Sequence, residues 1–179
     1  MSEQTNTTLT HLIDPDGRFA PLITPVVEDL GYRLIRVAFA GVDPKRGAIL
    51  SVMVEPLDGS KLKVDDCKTI SNEISATLDV ADPITDGYVL EVGSAGLNRP
   101  LSDMRDFARF VGYEGKFECK RPDDSGQRKY RGFIKETSDD GVTIDAQDRG
   151  LVLLEWQNIS VARLVGSDEL LKALQDGTV

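Results

Sequence analysis

The stretch Tyr88-Val89-Leu90-Glu91-Val92-Gly93-Ser94-Ala95-Gly96-Leu97-Asn98-Arg99-Pro100-Leu101 divides the chain into two halves with different hydrophobic periods. Tyr88–Val92 reads as a strand. Gly93 and Gly96 permit tight or positive-φ backbone. Pro100 drives Arg99 toward an extended conformation. Leu97 and Leu101 flank that point as apolar anchors, and Arg99 projects between them. Such a segment is a stiff elbow between two domains, unlike a flexible Gly/Ser linker. Two roles are open to Arg99: an ion pair with an acidic neighbour such as Glu91, or a guanidinium fork offered to an outside carboxylate or phosphate.

Upstream, the turn cluster Asp14-Pro15-Asp16-Gly17 closes a polar stretch that reads as a flexible tail over residues 1–17 and holds the lone histidine, His11. A helix is expected over Arg18–Leu30, stopping at Gly31, with Pro21 in its first turn and a kink at Pro25. Tyr32–Phe39 follows as a strand with Ile35, Val37 and Phe39 on one face. A hairpin loop over Gly41–Gly47 returns the chain through Ile49–Val54. A second helix, Asp65–Asp79, stripes Cys67, Ile70, Ile74 and Leu78 along one side. Asp65 and Asp66 complement the dipole of its first turn. The fold class is therefore α+β: residues 18–93 form an αββαβ sandwich of a three-stranded sheet and two helices on one face.

Residues 94–101 form the junction, and beyond it the period shortens. A helix capped by Ser102 runs to Phe110, then turn signals recur every 8–12 residues or so. The expected strands are Lys116–Arg121, Tyr130–Thr137, Val142–Gln147, Gly150–Glu155 and Ser160–Val165, a small β-barrel domain over 102–166. Phe117 and Cys119 point one way and Lys116, Glu118 and Lys120 the other. Val142, Ile144 and Ala146 make an inward set. Residues 167–179 form a C-terminal tail with a weak helix around Leu170, Leu171 and Leu174.

The 179 residues are 40% hydrophobic and 28% charged, the mix of a folded protein. No apolar run is long enough to span a membrane, and Met1–Thr10 reads as no signal peptide, so a cytoplasmic protein with no membrane partner is expected. A monomer is expected, since neither a long heptad nor an exposed apolar stripe asks for a partner. The net charge of −9 opposes indiscriminate nucleic-acid binding. That charge is uneven: residues 1–98 carry 8 basic and 15 acidic side chains, and residues 99–179 carry 13 and 15. Within 116–135 lie Lys116, Lys120, Arg121, Arg128, Lys129, Arg131 and Lys135 against three acids, a local charge of +4. These seven are the candidate contacts to RNA phosphate, and a solvated hairpin is the plainer alternative.

Catalysis finds little footing. Val92-Gly93-Ser94-Ala95-Gly96 approaches a nucleophile elbow, but Val92 stands at the first glycine, and His11 in a tail is a poor base. No His or Cys pair has zinc spacing, no loop has calcium spacing, and there is no glycine-rich phosphate loop. Two cysteines form no disulfide framework. No enzyme, no metal and no cofactor is expected.

The junction resembles the signature of the bacterial ribosome maturation factor RimP family, approximately Tyr-x-Leu-Glu-Val-Ser-Ser-Pro-Gly-Leu-Asp-Arg-Pro-Leu. Glu91, Ser94, Gly96, Leu97, Arg99, Pro100 and Leu101 match it. Gly93, Ala95 and Asn98 replace serine, proline and aspartate. Leu30-Gly31-Tyr32, Asp65-Asp66-Cys67, Leu78-Asp79 and Arg131-Gly132 extend the likeness over about residues 18–166. The resemblance implies an N-terminal α/β domain and a C-terminal SH3- or Sm-like barrel. It implies a non-catalytic factor for late maturation of the free small ribosomal subunit. It also implies rRNA and the twelfth small-subunit ribosomal protein as partners. The acidic N-terminal half would then shield a basic ribosomal protein while the basic window meets rRNA phosphates. The rival reading is a general RNA-binding or protein-adaptor module of the KH or Sm-like kind, although no Gly-x-x-Gly loop lies between the two helices.

Overall fold

The computed structural model describes residues 9–179, which divide into two units, one of Ile13–Gly96 and one of residues 9–12 with Leu97–Val179. The first unit contains α2 (Ala20–Asp29), β1 (Tyr32–Asp43), β2 (Gly47–Pro56), α3 (Val64–Ala81) and β3 (Tyr88–Gly93), after the short α1 (Thr10–Ile13). The second contains α4 (Met104–Arg109), β4 (Glu114–Cys119), β5 (Lys129–Thr137), β6 (Gly141–Ala146), β7 (Gly150–Glu155), β8 (Ile159–Leu164) and α5 (Asp168–Asp176). No helix among the described residues is long and apolar enough to cross a membrane.

In the first unit β1 pairs antiparallel with β2, and β2 parallel with β3, in the order β1-β2-β3. Phe19, Ile23 and Val27 from the α2 region meet Ile70, Ile74 and Leu78 of α3 over Val37, Leu50 and Val52 in one core. Ile70, Ile74 and Leu78 make the expected helical stripe on the expected sheet, but Cys67, expected on the same stripe, is only half-buried and outside this core. Gly31 ends α2 at φ +86°, where a Cβ would be strained, and its N–H donates to the Glu28 carbonyl at 2.9 Å. Pro25 lies inside α2 without dividing it. The alternation expected for β1 fails at a bulge between Leu34 and Arg36. The extra residue shifts the pleat, so Leu34 joins Val37 in the core while Phe39 is 38% exposed.

The second unit is a five-stranded antiparallel sheet in the order β7-β6-β5-β4-β8. Its strands match the expected ones to within two residues, and Phe117, Cys119, Val142, Ile144 and Ala146 all face the core. Phe107 of α4 packs between Phe117 and the edge of Trp156, with ring centroids 6.4 and 5.0 Å away. Among the described residues no ladder joins β7 to β8. Phe133 stands 45% exposed on the outer face.

The chain ends depart furthest from expectation. Of the expected tail over 1–17, residues 1–8 lie outside the described residues. Leu9 and Leu12 are buried in the core of the second unit, where His11 donates from Nε2 to the Ile159 carbonyl at 2.8 Å. Asp14, itself buried, accepts the N–H groups of Phe19 and Ala20 at 2.7 and 2.8 Å and so satisfies the start of α2. Two isolated leucines in a polar stretch carry no period, which hides their burial from the sequence. At the other end, Ser167 caps α5 by accepting the Leu170 N–H at 3.1 Å, and Leu170 is buried while Leu171 is exposed.

Gly132 shows how closely β5 and β6 approach. A Cβ there would collide with the Asp145 carbonyl and come within 2.8 Å of the Ala146 Cα, both backbone atoms that cannot swing away. Gly132→Ala is therefore expected to cost about 1–3 kcal/mol, read as a lowered urea midpoint at unchanged m-value. Wild-type stability in that variant would contradict the close approach.

Candidate functional site

The motif residues separate into two groups. Glu91 lies exposed on β3, Ser94 is exposed just beyond it, and Gly96 takes φ +62° at the end of the first unit. The remaining four begin the second unit. Leu97 and Asn98 form a turn, and the Asn98 side-chain oxygen accepts the Gly166 N–H at 3.3 Å. Residues 99–101 then lie along β8. The Leu164 N–H donates to the Arg99 carbonyl and the Leu101 N–H to the Ala162 carbonyl, both at 2.9 Å, and Pro100 bridges to Arg163 between them. Proline is tolerated there because the segment is an edge strand whose central residue needs no donor.

Arg99 is buried, and its carboxylate partner is Asp106 of α4, 3.1 Å away, in place of Glu91. Asp106 also accepts the N–H and hydroxyl of Ser102, at 3.2 and 3.4 Å. The helix cap expected of Ser102 is supplied by Asp103, whose carboxylate accepts the Arg105 N–H at 2.8 Å. This sets α4 one residue later and places Asp106 in its first turn, facing back to the motif. The Arg99 guanidinium also lies over the Phe110 ring, 5.5 Å from its centroid. The motif arginine thus joins α4 to the strand segment beside β8. It does not project toward an outside phosphate.

Most of the seven candidate cations are engaged within the second unit. Arg128 donates to the Cys119 and Lys120 carbonyls at 3.2 and 2.7 Å, closing the β4–β5 hairpin. Arg131 holds Glu114 in a fork of 2.8 and 2.9 Å, which keeps the Glu114 carboxyl below the usual carboxylate range. Lys129 faces Glu118 at 3.9 Å, Lys135 faces Asp145 at 3.5 Å and Arg121 faces Glu155 at 3.6 Å. Glu114, Asp145 and Glu155 fall outside or across the sheet from the basic run, so the +4 window is largely neutralised by its neighbours in space. Lys116 and Lys120 are exposed and form no salt bridge among the described residues.

One cation that the basic window excludes joins this face. Antiparallel pairing sets Arg131 opposite Lys116, and Lys116 opposite Arg163 of β8. All three are exposed, and Arg163 forms no salt bridge among the described residues. They border a shallow depression of about 250 Å³ that Lys129 and Val161 also line. The alternation of β8, with Ala162 and Leu164 inward, already directs Arg163 outward. Its neighbour is set by a register that the sequence does not display.

The hairpin tip is held by Asp123. Its carboxylate accepts the Ser125 hydroxyl at 2.7 Å, the Ser125 and Gln127 N–H groups at 2.9 Å, and the Tyr130 hydroxyl at 2.9 Å. Arg149, from the β6–β7 turn, pairs with Asp123 and donates to the Gln127 side chain. These donors, led by Ser125, hold the Asp123 carboxyl well below its ordinary range. Burial and the Asp123 hydrogen bond push Tyr130 up to about 12. Among the described residues, no three His, Cys, Asp or Glu cluster as a metal would require.

Asp106→Ala leaves the Arg99 charge buried and is expected to cost about 3–5 kcal/mol, while the paired change Arg99→Met with Asp106→Leu recovers much of it. Equal losses in the single and paired variants, measured by urea unfolding, would argue against the ion pair. A carboxyl with a lowered folded value adds stability above its unfolded value, about 3.9, and loses it as pH falls through the folded value. The stability gap between wild type and Asp123→Asn should therefore narrow between about pH 5 and pH 2. A gap independent of pH over that range would contradict the Asp123 network.

Residues 22–98 match the family model described as the RimP N-terminal domain. The match runs from α2 through β3 and takes in the motif as far as Asn98. Arg99, Pro100, Leu101 and the candidate cations lie beyond it. Residues 22–98 are thus similar to the N-terminal domain of the RimP family.

Proposed function

We propose that the protein is a cytoplasmic, non-catalytic ribosome maturation factor that binds the free small ribosomal subunit and assists its late assembly. The match of residues 22–98 to the RimP N-terminal domain carries this reading. The resemblance of the junction to the family signature supports it over residues that the matched segment does not reach.

Charge divides the labour between the two units. Residues 13–96 carry 8 basic and 14 acidic side chains, a field suited to a basic partner such as the twelfth small-subunit ribosomal protein. The second unit bears exposed cations on one sheet face for rRNA. All five of its strands contribute to one core, which supports reading it as an SH3- or Sm-like barrel. The protein acts as a monomer.

Sedimentation with free small subunits, whole ribosomes and an unrelated structured RNA tests the reading. Co-migration with free small subunits alone is the expected result. Equal binding to all three would replace the assembly factor with a general RNA-binding module. Absence from every fraction would overturn the proposal.

A further inference from the structure

We propose that Arg163 and Lys116, side by side on β8 and β4, are the principal phosphate contacts of the second unit, with Phe133, one row away on β5, as a stacking surface for a single-stranded base. This deepens the reading above and rests on its claim that the protein binds rRNA. Neither Arg163 nor Phe133 stands among the seven cations that the basic window nominates.

Cross-strand charge is the first argument. Like charges opposite one another on neighbouring strands are destabilising. Here Arg131, Lys116 and Arg163 occupy one row across β5, β4 and β8. Glu114 forks to Arg131 and only partly offsets the Lys116 charge, and among the described residues neither Lys116 nor Arg163 forms a salt bridge. A bound anion relieves that repulsion. Taking phosphate on Arg131 or Arg128 instead would break a carboxylate fork or two bonds to hairpin carbonyls.

The surrounding surface selects among anions. Phe133 pairs with Glu114 in the next row, on the same outer face as Arg131, and is 45% exposed. Val161 lies opposite Glu118 and is 38% exposed. Cations flanked by an open aromatic ring suit single-stranded nucleic acid, in which the backbone meets charge and a base meets the ring. An acidic peptide would use the cations and leave the ring idle. Glu114 and Glu118 on the same face oppose diffuse polyanion binding and favour a contact localised to the Lys116–Arg163 pair.

The test measures binding of the full chain to free small subunits and to a mixed-sequence single-stranded ribo-oligonucleotide, across a range of KCl. Lys116→Ala with Arg163→Ala should weaken both at least tenfold. It should also flatten the salt dependence by roughly 1.4 in log–log slope on the oligonucleotide, the value for two lost phosphate contacts. Lys68→Ala with Lys172→Ala, which removes two charges elsewhere, should change affinity less than threefold. Phe133→Ala should weaken binding at unchanged slope. Circular dichroism of each variant separates lost binding from lost folding.

Wild-type binding to subunits that the Lys116/Arg163 variant retains would overturn this inference and leave the assembly factor standing. Wild-type binding to the oligonucleotide but not to subunits would overturn the assembly factor, and the variants would still decide the site. Binding to neither probe would overturn both. Polyglutamate competing as well as the oligonucleotide at equal charge would overturn the assignment to RNA.

Discussion

The buried ion pair between Arg99 and Asp106 is the constraint on which the architecture of the second unit's entry depends. It ties the strand segment at 99–101 to α4, and that segment in turn covers the outer edge of β8 through Arg99, Pro100 and Leu101. β8 carries Arg163, and β4 beside it carries Lys116. The motif arginine therefore acts on the outer sheet face through backbone, with its own charge withdrawn from solvent. Such a pair does not stabilise strongly against an apolar replacement, but half of it alone is costly. Its physical value lies in specifying one arrangement of strand and helix.

Charge is organised on a similar principle. On the outer face of the second unit's sheet, several cations are paired across strands. Arg131 with Glu114, Lys129 with Glu118 and Lys135 with Asp145 each remove one cation from the field. Surface pairs of this kind contribute little to stability, about 0–1 kcal/mol each. What is left on this face includes the neighbouring Lys116 and Arg163, which form no salt bridge among the described residues.

Much of this was legible from residue order. Strands whose inward sets alternate cleanly, such as Val142, Ile144 and Ala146, declare their period, and the stripe Ile70, Ile74 and Leu78 declares α3. The bulge in β1 was not legible, because one extra residue reverses the pleat without altering composition. Leu9 and Leu12 carry no period of their own, so their burial depends on a groove assembled from residues a hundred positions away. Arg99 and Asp106 stand only seven apart, yet their pairing hinged on whether Ser102 or Asp103 starts α4. The neutralised window is the plainest case: a count along the chain sums charges that the β4–β5 and β5–β6 registers then pair. The same registers bring in Arg163, which no local count includes.

Residues 99–101 are a structural strand of the second unit, locked by Arg99 and Asp106. Amide hydrogen exchange at Leu101 and Leu164 tests this most directly, since their N–H groups donate to the Ala162 and Arg99 carbonyls. Both amides should exchange as slowly as those of the β4–β5 ladder, opening only with the unit as a whole. Exchange of Leu101 and Leu164 at the rate of exposed turns, while the ladder stays protected, would contradict it.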